Sequence, residues 1–403
     1  MFRISRYMHE LVAPTPLAGR RIEPPGPVVI WNLIRRCNLT CMHCYSISTD
    51  IDFPGELSSE EVQRVMDDLK RFRVPALILS GGEPLLRKDI FDIASRAKSM
   101  GFYTALSTNG TLIDDALAAR IAATGFDYVG ISLDGLGATH DRFRRKEGAF
   151  EASLAGLRRC RDRDVKVGVR FTLTQDNAGD LPGLLDLVEA ERIDKFYLSH
   201  LNYAGRGDRN RKRDAQFRVA REAMDLLFAR CWDHARRGVE KEFVTGNNDA
   251  DGVYLLHWAR RNLPNFDEAH LRAKLAEWGG NASGVNVANI DNLGNVHPDT
   301  MWWDLTLGNV RERPFSEIWS DTSHPVMAGL KARPRSVKGR CGECAHFDIC
   351  GGNTRVRAMK LTGDPWQEDP ACYLDDEEIG IEPGRERIAV TPYRSTPRRE
   401  AAR

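Results

Sequence analysis

Short apolar runs alternate with longer amphipathic stretches over the first half of the chain. Runs of this length are typical of strands buried in a parallel sheet. The predicted strands are residues 28–34, 76–79, 102–106, 128–133, 165–173 and 195–199. The stretches between them have the apolar spacing of helices, and a capping box of Ser58 and Glu61 opens the first. The predicted helices are residues 59–72, 90–100, 114–123, 150–163 and 181–189.

Six strand-and-helix units in series imply a parallel sheet whose helices lie outside it. Six units are fewer than the eight of a closed barrel, so a partial barrel and an open doubly wound sheet both fit. In either architecture we expect the functional site at the carboxyl ends of the strands.

The pattern changes after the sixth strand. Residues 205–214 are polar and basic, residues 216–237 and 249–279 have helical patterns, and residues 285–296 predict a hairpin. The predicted organisation is an irregular N-terminal arm (1–27), a strand-and-helix core (28–214), a helical connecting region (215–284), a C-terminal domain (285–380) and a loose tail (381–403).

Composition narrows the class of protein. Among 403 residues, 58 Lys and Arg balance 57 Asp and Glu, and a net charge of +1 provides no general field for nucleic acid. No apolar run is long enough to span a bilayer and no signal-peptide pattern opens the sequence. We therefore expect a cytoplasmic protein that binds neither membrane nor nucleic acid. Nine cysteines in such a protein indicate metal or redox chemistry rather than disulfides.

Seven of the nine cysteines fall into two groups. Cys37, Cys41 and Cys44 follow the first strand directly, where three thiolates suit an iron–sulfur cluster with one iron left open. A zinc site completed by His43 is the weaker alternative, because His43 stands between two of the cysteines. The second group is Cys341, Cys344, Cys350 and Cys372, which could hold zinc or an iron–sulfur cluster. We expect the isolated Cys160 and Cys231 to be packed.

The segment CNLTCMHCY, residues 37–45, resembles the signature of radical S-adenosylmethionine (SAM) enzymes. The resemblance implies a partial (β/α)6 TIM-type barrel with a [4Fe–4S] cluster on the three cysteines and SAM at the fourth iron. Reductive cleavage of SAM then yields methionine and a 5′-deoxyadenosyl radical. The cofactor carries the hard chemistry and the protein positions it.

Further motifs at successive strand ends fit the same family. The stretch SGGEP, residues 80–84, is similar to its GGEP motif, whose backbone and glutamate contact the SAM amino group. By resemblance, Ser132 contacts SAM and Arg170 its carboxylate, whereas Ser107 and Asn109 line the site. The full set of SAM-binding residues implied by the resemblance is Tyr45, Gly81, Gly82, Glu83, Pro84, Ser132, Asp134 and Arg170.

The second cysteine group resembles the C-terminal SPASM extension of some radical SAM enzymes. That extension usually carries two auxiliary clusters, and all four ligands of one of them match here. Three positions where the extension usually has cysteines are occupied by Ser283, Asp299 and Thr354. The resemblance therefore implies a SPASM-like iron–sulfur domain with one auxiliary [4Fe–4S] cluster on Cys341, Cys344, Cys350 and Cys372.

Several longer segments, including VTGNNDADG (244–252) and NIDNLGNVHPDTMWW (289–303), resemble the haem d1 biosynthesis radical SAM proteins of denitrifying bacteria. This resemblance implies an iron tetrapyrrole substrate, 12,18-didecarboxysiroheme, from which two propionate side chains are removed. It also implies an electron donor such as flavodoxin or ferredoxin and contact with other enzymes of the pathway.

Such a substrate needs cations for its carboxylates and flat walls for its ring. The predicted cations follow the sixth strand, namely Arg206, Arg209, Arg211, Lys212 and Arg213. The predicted walls are Trp258, Trp278, Trp302 and Trp303, and the predicted axial ligands of the iron are His200 and His297.

Three other functions compete with this interpretation. A radical SAM enzyme of the siroheme-dependent haem pathway has a similar sequence pattern. A SPASM-type peptide-modifying maturase usually carries a peptide-recognition domain, for which the short segment before Val28 leaves no room. A non-catalytic iron–sulfur electron-transfer protein would not need the motifs at successive strand ends.

Overall fold

The computed structural model describes residues 1–17 and 26–392. Within them, ten strands form one sheet. The strands are β1 (Val28–Asn32), β2 (Ala76–Ser80), β3 (Tyr103–Thr108), β4 (Tyr128–Ser132), β5 (Val167–Leu173), β6 (Lys195–His200), β7 (Glu242–Gly246), β8 (Val287–Ile290), β9 (Asn295–His297) and β10 (Gly308–Asn309).

Helices connect and cover the strands. They are α1 (Ile4–Val12), α2 (Ser59–Arg71), α3 (Ile90–Ser99), α4 (Asp115–Thr124), α5 (Gly137–Arg144), α6 (Ala149–Arg161), α7 (Leu181–Ala190), α8 (Gly205–Arg209), α9 (Arg218–Arg236), α10 (Ala250–Asn262), α11 (Glu268–Trp278), α12 (Phe315–Ser320), α13 (Pro325–Lys331), α14 (Gly339–Glu343), α15 (Phe347–Cys350) and α16 (Arg355–Thr362). Short 3-10 turns occupy Pro84–Leu86, Ala178–Asp180 and Arg211–Arg213.

The strand order is β10-β9-β8-β1-β2-β3-β4-β5-β6-β7, and every neighbouring pair from β8 to β7 is parallel. The six predicted strands are confirmed and form the middle of the sheet. Two further parallel strands extend it, β7 at one edge and β8 beside β1. The predicted hairpin is confirmed as the antiparallel pair of β8 and β9. The carboxyl ends of β1 to β8 therefore share one rim, where the C-terminal part of the chain meets the core.

The prediction of an irregular N-terminal arm is wrong for the part that the structure describes. Residues 4–12 form α1, which packs on α9. Phe2 forms an antiparallel backbone bridge with Thr245 of β7. The reason is an apolar face of Ile4, Tyr7 and Met8 at helical spacing, all of it buried. Residues 18–25 lie outside the described part.

The predicted loose tail is fastened over its first residues. Arg211 donates hydrogen bonds to the carbonyl oxygens of Thr391 and Pro392, and Arg387 donates to that of Leu374. Residues 393–403 lie outside the described part. Among the helices that the structure describes, none is both long and apolar enough to cross a membrane.

Candidate active site

The first cysteine group lies in the loop that leaves β1. Cys37 and Cys41 are buried, Cys44 packs against them, and none forms a disulfide. Each sulfur lies near a hydrogen-bond donor or hydroxyl: Cys37 Sγ near Asn109 Nδ2 (3.9 Å), Cys41 Sγ near Arg144 Nη1 (3.4 Å) and Cys44 Sγ near Ser46 Oγ (3.3 Å). Donors around thiolates stabilise their charge and tune the potential of a bound cluster.

The loop is fixed by the GGEP segment. The backbone N–H of Gly82 donates to Ile34 O at 2.6 Å and that of Glu83 donates to Arg36 O at 2.9 Å. A Cβ atom on Gly82 would lie 2.2 Å from Arg36 O, so only glycine permits this approach. The segment therefore sets the position of the chain that enters the cysteine loop.

The carboxylate of Glu83 ties this segment to the end of β3. It is fully buried and accepts hydrogen bonds from the backbone N–H groups of Leu85 (3.2 Å) and Asn109 (2.8 Å) and from Thr108 Oγ1 (2.7 Å). Asn109 in turn reaches Cys37 and also donates to Asn38 Oδ1 at 2.9 Å. In this conformation Glu83 positions the cysteine loop through its neighbours.

Asp134 and Arg144 form a buried ion pair behind Cys41. Asp134 Oδ1 accepts the backbone N–H of Thr172 at 2.6 Å, and Oδ2 contacts the Arg144 guanidinium. Burial alone would raise the pKa of Asp134, but the charge of Arg144, together with His43, His140 and the Thr172 N–H, gives a net downward shift. The sequence predicted Asp134 as a SAM contact, whereas here its carboxylate orients the arginine that touches Cys41.

His43 lies beside this pair as a neutral imidazole. Burial lowers its pKa to about 4, although the Asp134 carboxylate lies 3.9 Å from Nε2 and acts in the opposite direction. Its ring packs on Phe143 with centroids 4.7 Å apart. The ring contact holds His43 against Phe143, beside the cysteine loop.

Arg170 is a cation at the centre of the rim. It is half-buried, donates to Ser107 Oγ, and lies over the Tyr197 ring at 5.3 Å from the centroid. Its stem crosses Gly130, where a Cβ atom would approach the Arg170 Cδ to 2.9 Å. Within residues 1–17 and 26–392 it forms no ion pair with a carboxylate, so it is free to bind an anionic group. Ser132, the partner of Arg170 in the β4–β5 register, stands next to it.

An aromatic row joins the cysteine loop to the C-terminal hairpin. Trp303 packs between Tyr45, at 5.7 Å, and His297, also at 5.7 Å, and is parallel to the latter within 13°. The Tyr45 hydroxyl accepts a hydrogen bond from Asn32 Nδ2 at 2.7 Å, which anchors the row to β1. Trp303 is half-buried, whereas Trp258 and Trp302 are buried. Trp303 is therefore the predicted wall residue that remains accessible beside the cysteine loop.

The two predicted axial histidines are buried and contact neighbouring groups, and their role as axial ligands stays a prediction. His297 is 1% exposed, donates from Nδ1 to Leu305 O at 2.7 Å, and faces Asp291 with Nε2. His200 is 3% exposed and its Nε2 lies 3.1 Å from an Asp251 carboxylate oxygen. These contacts orient both imidazole rings.

Two of the predicted substrate arginines also have structural roles. Buried Arg206 donates to the carbonyl oxygens of Cys41 (2.6 Å) and Ser48 (3.0 Å), so it clamps the cysteine loop. Buried Arg211 pairs with Asp208 at 2.9 Å and holds the C-terminal segment. These contacts give both side chains a structural role, and their contact with a substrate stays a prediction. Arg209 is exposed, and its predicted contact stays a prediction.

The second cysteine group lines one small, partly open cavity. The four thiols are free and are joined there by apolar side chains, by Asn353 and by Arg340, with no carboxylate or histidine in the lining. Burial raises the pKa of the Cys341 thiol to about 12 and that of Cys344 to about 11. Burial disfavours the thiolate form, so binding of a metal core here would be coupled to loss of the thiol protons, and four thiols around one cavity suit an iron–sulfur cluster.

The positions where the SPASM pattern has further cysteines carry hydrogen-bonded polar side chains. Ser283 Oγ donates to Asp299 Oδ2, so two of these positions contact each other. Thr354 is buried and donates to Asn247 O at 3.2 Å. A polar contact occupies the space that a second auxiliary cluster would need.

Comparison with known proteins identifies the family of this chain. A profile described as the radical SAM superfamily matches residues 31–188. The curated pre-heme d1 synthase of Dinoroseobacter shibae is 57% identical over 394 residues, which is 98% of this chain and 97% of that protein. The chain belongs to the radical SAM superfamily. Within it, the chain falls with the haem d1 biosynthesis proteins.

Other relatives agree with this placement. The Fe-coproporphyrin III synthase of Methanosarcina barkeri is 44% identical and covers 88% of this chain and 89% of that protein. Among solved structures, Streptococcus suis SuiB bound to S-adenosylmethionine gives a TM-score of 0.67 at 17% identity and covers 87% of this chain and 78% of that one. Native anSMEcpe with bound AdoMet also gives 0.67, at 18% identity, over 88% and 96%. These structures support the fold, a radical SAM core with a SPASM-like extension.

Membership implies SAM and one [4Fe–4S] cluster as cofactors. Sequence reasoning missed one residue of the site, Arg144, which ends α5, a helix that was not predicted. Arg206 was found, but its basic neighbourhood suggested substrate rather than the cysteine loop.

Proposed function

We propose that this protein is a pre-haem d1 synthase, which removes two propionate side chains from 12,18-didecarboxysiroheme. The observation that carries the proposal is the 57% identity with pre-heme d1 synthase over nearly the whole of both chains. The cofactors supply a 5′-deoxyadenosyl radical, which takes a hydrogen atom from a propionate. The residues of this chain bind, orient and enclose the reacting groups.

The SAM-binding cluster is assigned to Cys37, Cys41 and Cys44. Support comes from their packing together in one loop and from the donor or hydroxyl beside each sulfur. Arg170 is assigned to the SAM carboxylate because it is a half-buried cation that no carboxylate of the described chain neutralises. Ser132 on β4 stands next to it, and the GGEP segment follows β2, which lies on the same side of Arg170 and three strands away.

An auxiliary [4Fe–4S] cluster is assigned to Cys341, Cys344, Cys350 and Cys372. The support is a shared cavity lined by these four thiols and by no other titratable ligand except Arg340, which cannot ligate a metal. The polar contact of Ser283 with Asp299 argues for one auxiliary cluster rather than two.

Trp303 is assigned as a wall of the tetrapyrrole site. Its ring is fixed between Tyr45 and His297, half-buried, and adjoins the residue that follows Cys44. A planar macrocycle gains both burial and ring contact from such a surface. An electron donor such as flavodoxin or ferredoxin belongs to the proposal, and so do the cytoplasm as location and contact with other enzymes of the pathway.

The test is anaerobic turnover by cluster-loaded protein with SAM, a strong reductant and the tetrapyrrole. We expect 5′-deoxyadenosine to form faster when 12,18-didecarboxysiroheme is present and not to form with Cys37→Ala. An unchanged rate with the tetrapyrrole would reject the substrate, and activity in Cys37→Ala would reject the cluster assignment. The 44% identity with an Fe-coproporphyrin III synthase makes that reaction the second candidate. A product with the mass of Fe-coproporphyrin III would favour it.

A further inference from the structure

Two buried arginines beside the second cysteine group have no ion-pair partner in the described chain. Arg355 is 0% exposed and Arg335 is 5% exposed. A buried charge without a counter-charge costs several kcal/mol or more in a folded protein, so it persists only where something offsets it. The positions of these two side chains indicate which group offsets their charge.

Arg355 donates only to backbone carbonyl oxygens. Its guanidinium reaches Gly352 and Asn353 on one side and Pro365 and Gln367 on the other. It therefore joins the segment after Cys350 to the segment before Cys372. These contacts satisfy its hydrogens but leave its positive charge in place.

The same helix provides the contrast. Arg357, two residues on, is also 0% exposed, but it forms a paired contact with Asp369 at 2.9 Å through both Nε and Nη2. The positive charge of Arg357 is therefore balanced by a carboxylate of the same chain. Arg355 forms no ion pair within the described residues. Its charge acts on Cys341, whose thiol lines the cavity, and on Asp364, which itself pairs with Lys338.

Arg335 adds a second charge on the Cys350 side. It donates to Leu330 O (3.0 Å), Gly351 O (3.2 Å) and Asn281 Oδ1 (3.0 Å). The carboxylate that acts on Arg335 is that of Asp249. Asn281 bridges the two, since it accepts from Arg335 and its Nδ2 donates to Asp249 Oδ2 at 3.2 Å. Arg340, the third arginine at the cavity, differs because it pairs with Asp376 at 2.7 Å.

We propose that Arg355, assisted by Arg335, is the built-in counter-charge of an anionic four-thiolate cluster on Cys341, Cys344, Cys350 and Cys372. This inference rests on the auxiliary cluster assigned above. Four thiolates outweigh the charge of a [4Fe–4S]²⁺ core, and one-electron reduction makes the assembly more negative. A buried cation beside the cavity stabilises the negatively charged cluster and favours its reduced state, because the protein interior screens charge poorly. Arg355 is a positioning and tuning residue, not a ligand.

The test uses full-length protein in which Cys37, Cys41 and Cys44 are replaced by Ala, so that only the second cluster forms. In this background, Arg355→Met is compared with Arg355→Lys, which keeps the charge and loses the planar fork. Arg87→Met is the remote control, since Arg87 is buried, pairs with Asp89, and donates to the carbonyl oxygens of Leu33 and Leu57 far along the chain from this cavity. The measured quantities are the midpoint potential of the cluster and the rate of iron loss to a chelator.

We expect Arg355→Met to move the midpoint potential in the negative direction and to weaken iron retention about 10- to 100-fold, the usual effect of losing an outer partner of a metal site. Arg355→Lys should restore the potential even if the clamp on the backbone is weakened. Arg87→Met should change neither quantity. Equal potentials for parent, Met and Lys variants would overturn the counter-charge inference alone. Failure of the parent to bind any iron–sulfur cluster would overturn the auxiliary cluster itself.

Discussion

Arg144 Nη1 lies 3.4 Å from Cys41 Sγ, so the last residue of α5 touches the cysteine loop directly. The same guanidinium pairs with Asp134, which follows β4. One buried ion pair thus joins two strand-end loops to the first cysteine group. The position of the cysteine loop therefore depends on contacts between protein side chains as well as on any ligand.

Removing this arginine should destabilise the protein. Arg144→Met leaves the buried Asp134 carboxylate without a counter-charge, and we expect a loss of about 3–5 kcal/mol in the free energy of unfolding. Denaturant unfolding of the apo protein measures it. Arg142→Met, at an exposed position on the same helix, is the matched control and should change stability by less than about 0.5 kcal/mol. Equal stability of the two variants would show that the pair with Asp134 contributes little.

Loss of the Arg170 charge should weaken SAM binding. A charge-assisted hydrogen bond contributes about 1.5–3 kcal/mol, so Arg170→Met should raise the SAM dissociation constant about 10- to 100-fold in cluster-loaded protein. Arg170→Lys should recover part of this loss, because it keeps the charge without the bidentate geometry. Anaerobic equilibrium dialysis measures the constant, and the exposed Arg64→Met is the control. Unchanged affinity in Arg170→Met would remove Arg170 from the SAM site.

Acid should destabilise the fold partly through His140. Burial, with the charge of Arg144, lowers the pKa of His140 to about 4 from 6.5. Between these values the unfolded chain binds a proton that the folded chain does not, so stability falls as the pH falls from about 6.5 to about 4. The contribution is about 1.4 kcal/mol per pH unit within that window.

His140→Gln should flatten the pH dependence of unfolding in that window by up to this amount. The exposed His9→Gln variant is the comparison. Urea unfolding at several pH values between 4 and 7 measures both slopes. If His140→Gln keeps the full slope of the parent, the imidazole is not the group that takes up the proton.

Trp303 should matter for the tetrapyrrole more than for SAM. An aromatic contact adds about 0.5–1.5 kcal/mol beyond buried area, so Trp303→Ala should raise the KM for the tetrapyrrole about tenfold, with a smaller change for SAM. Trp303→Phe should recover much of the affinity. Trp232 on α9, replaced by Ala, serves as the control for loss of a tryptophan. Equal effects on both KM values would place Trp303 in the general support of the site.

The core of the fold was predictable because each of its strands and helices is marked by a pattern in consecutive residues. Each parallel strand is a short apolar run, and the capping box of Ser58 and Glu61 marks the start of α2 in the sequence as it does in the structure. The cysteine spacing identified both thiol groups for the same reason. The shared cavity of the second group follows from residues that lie close in sequence, with Cys372 as the distant member.

The missed features depend on tertiary contacts. Strand β7 is five residues long, as are β1, β2 and β4, but it lies beyond the regular alternation of strands and helices, and its place is set by pairing with β6. Basic residues after β6 look alike in sequence, yet Arg206 clamps the cysteine loop while Arg209 is exposed. His200 was chosen by its position at a strand end, but its carboxylate partner, Asp251, comes from a distant segment.

The measurement that tests the account most directly is the mass of the tetrapyrrole after anaerobic turnover. Cluster-loaded protein, SAM, a reductant and 12,18-didecarboxysiroheme are incubated beside a Cys37→Ala reaction, and both are analysed by mass spectrometry. We predict loss of two propionate side chains in the first reaction and intact substrate in the second. An unchanged tetrapyrrole in the first reaction, from protein whose clusters and SAM cleavage are verified, would contradict the proposed function.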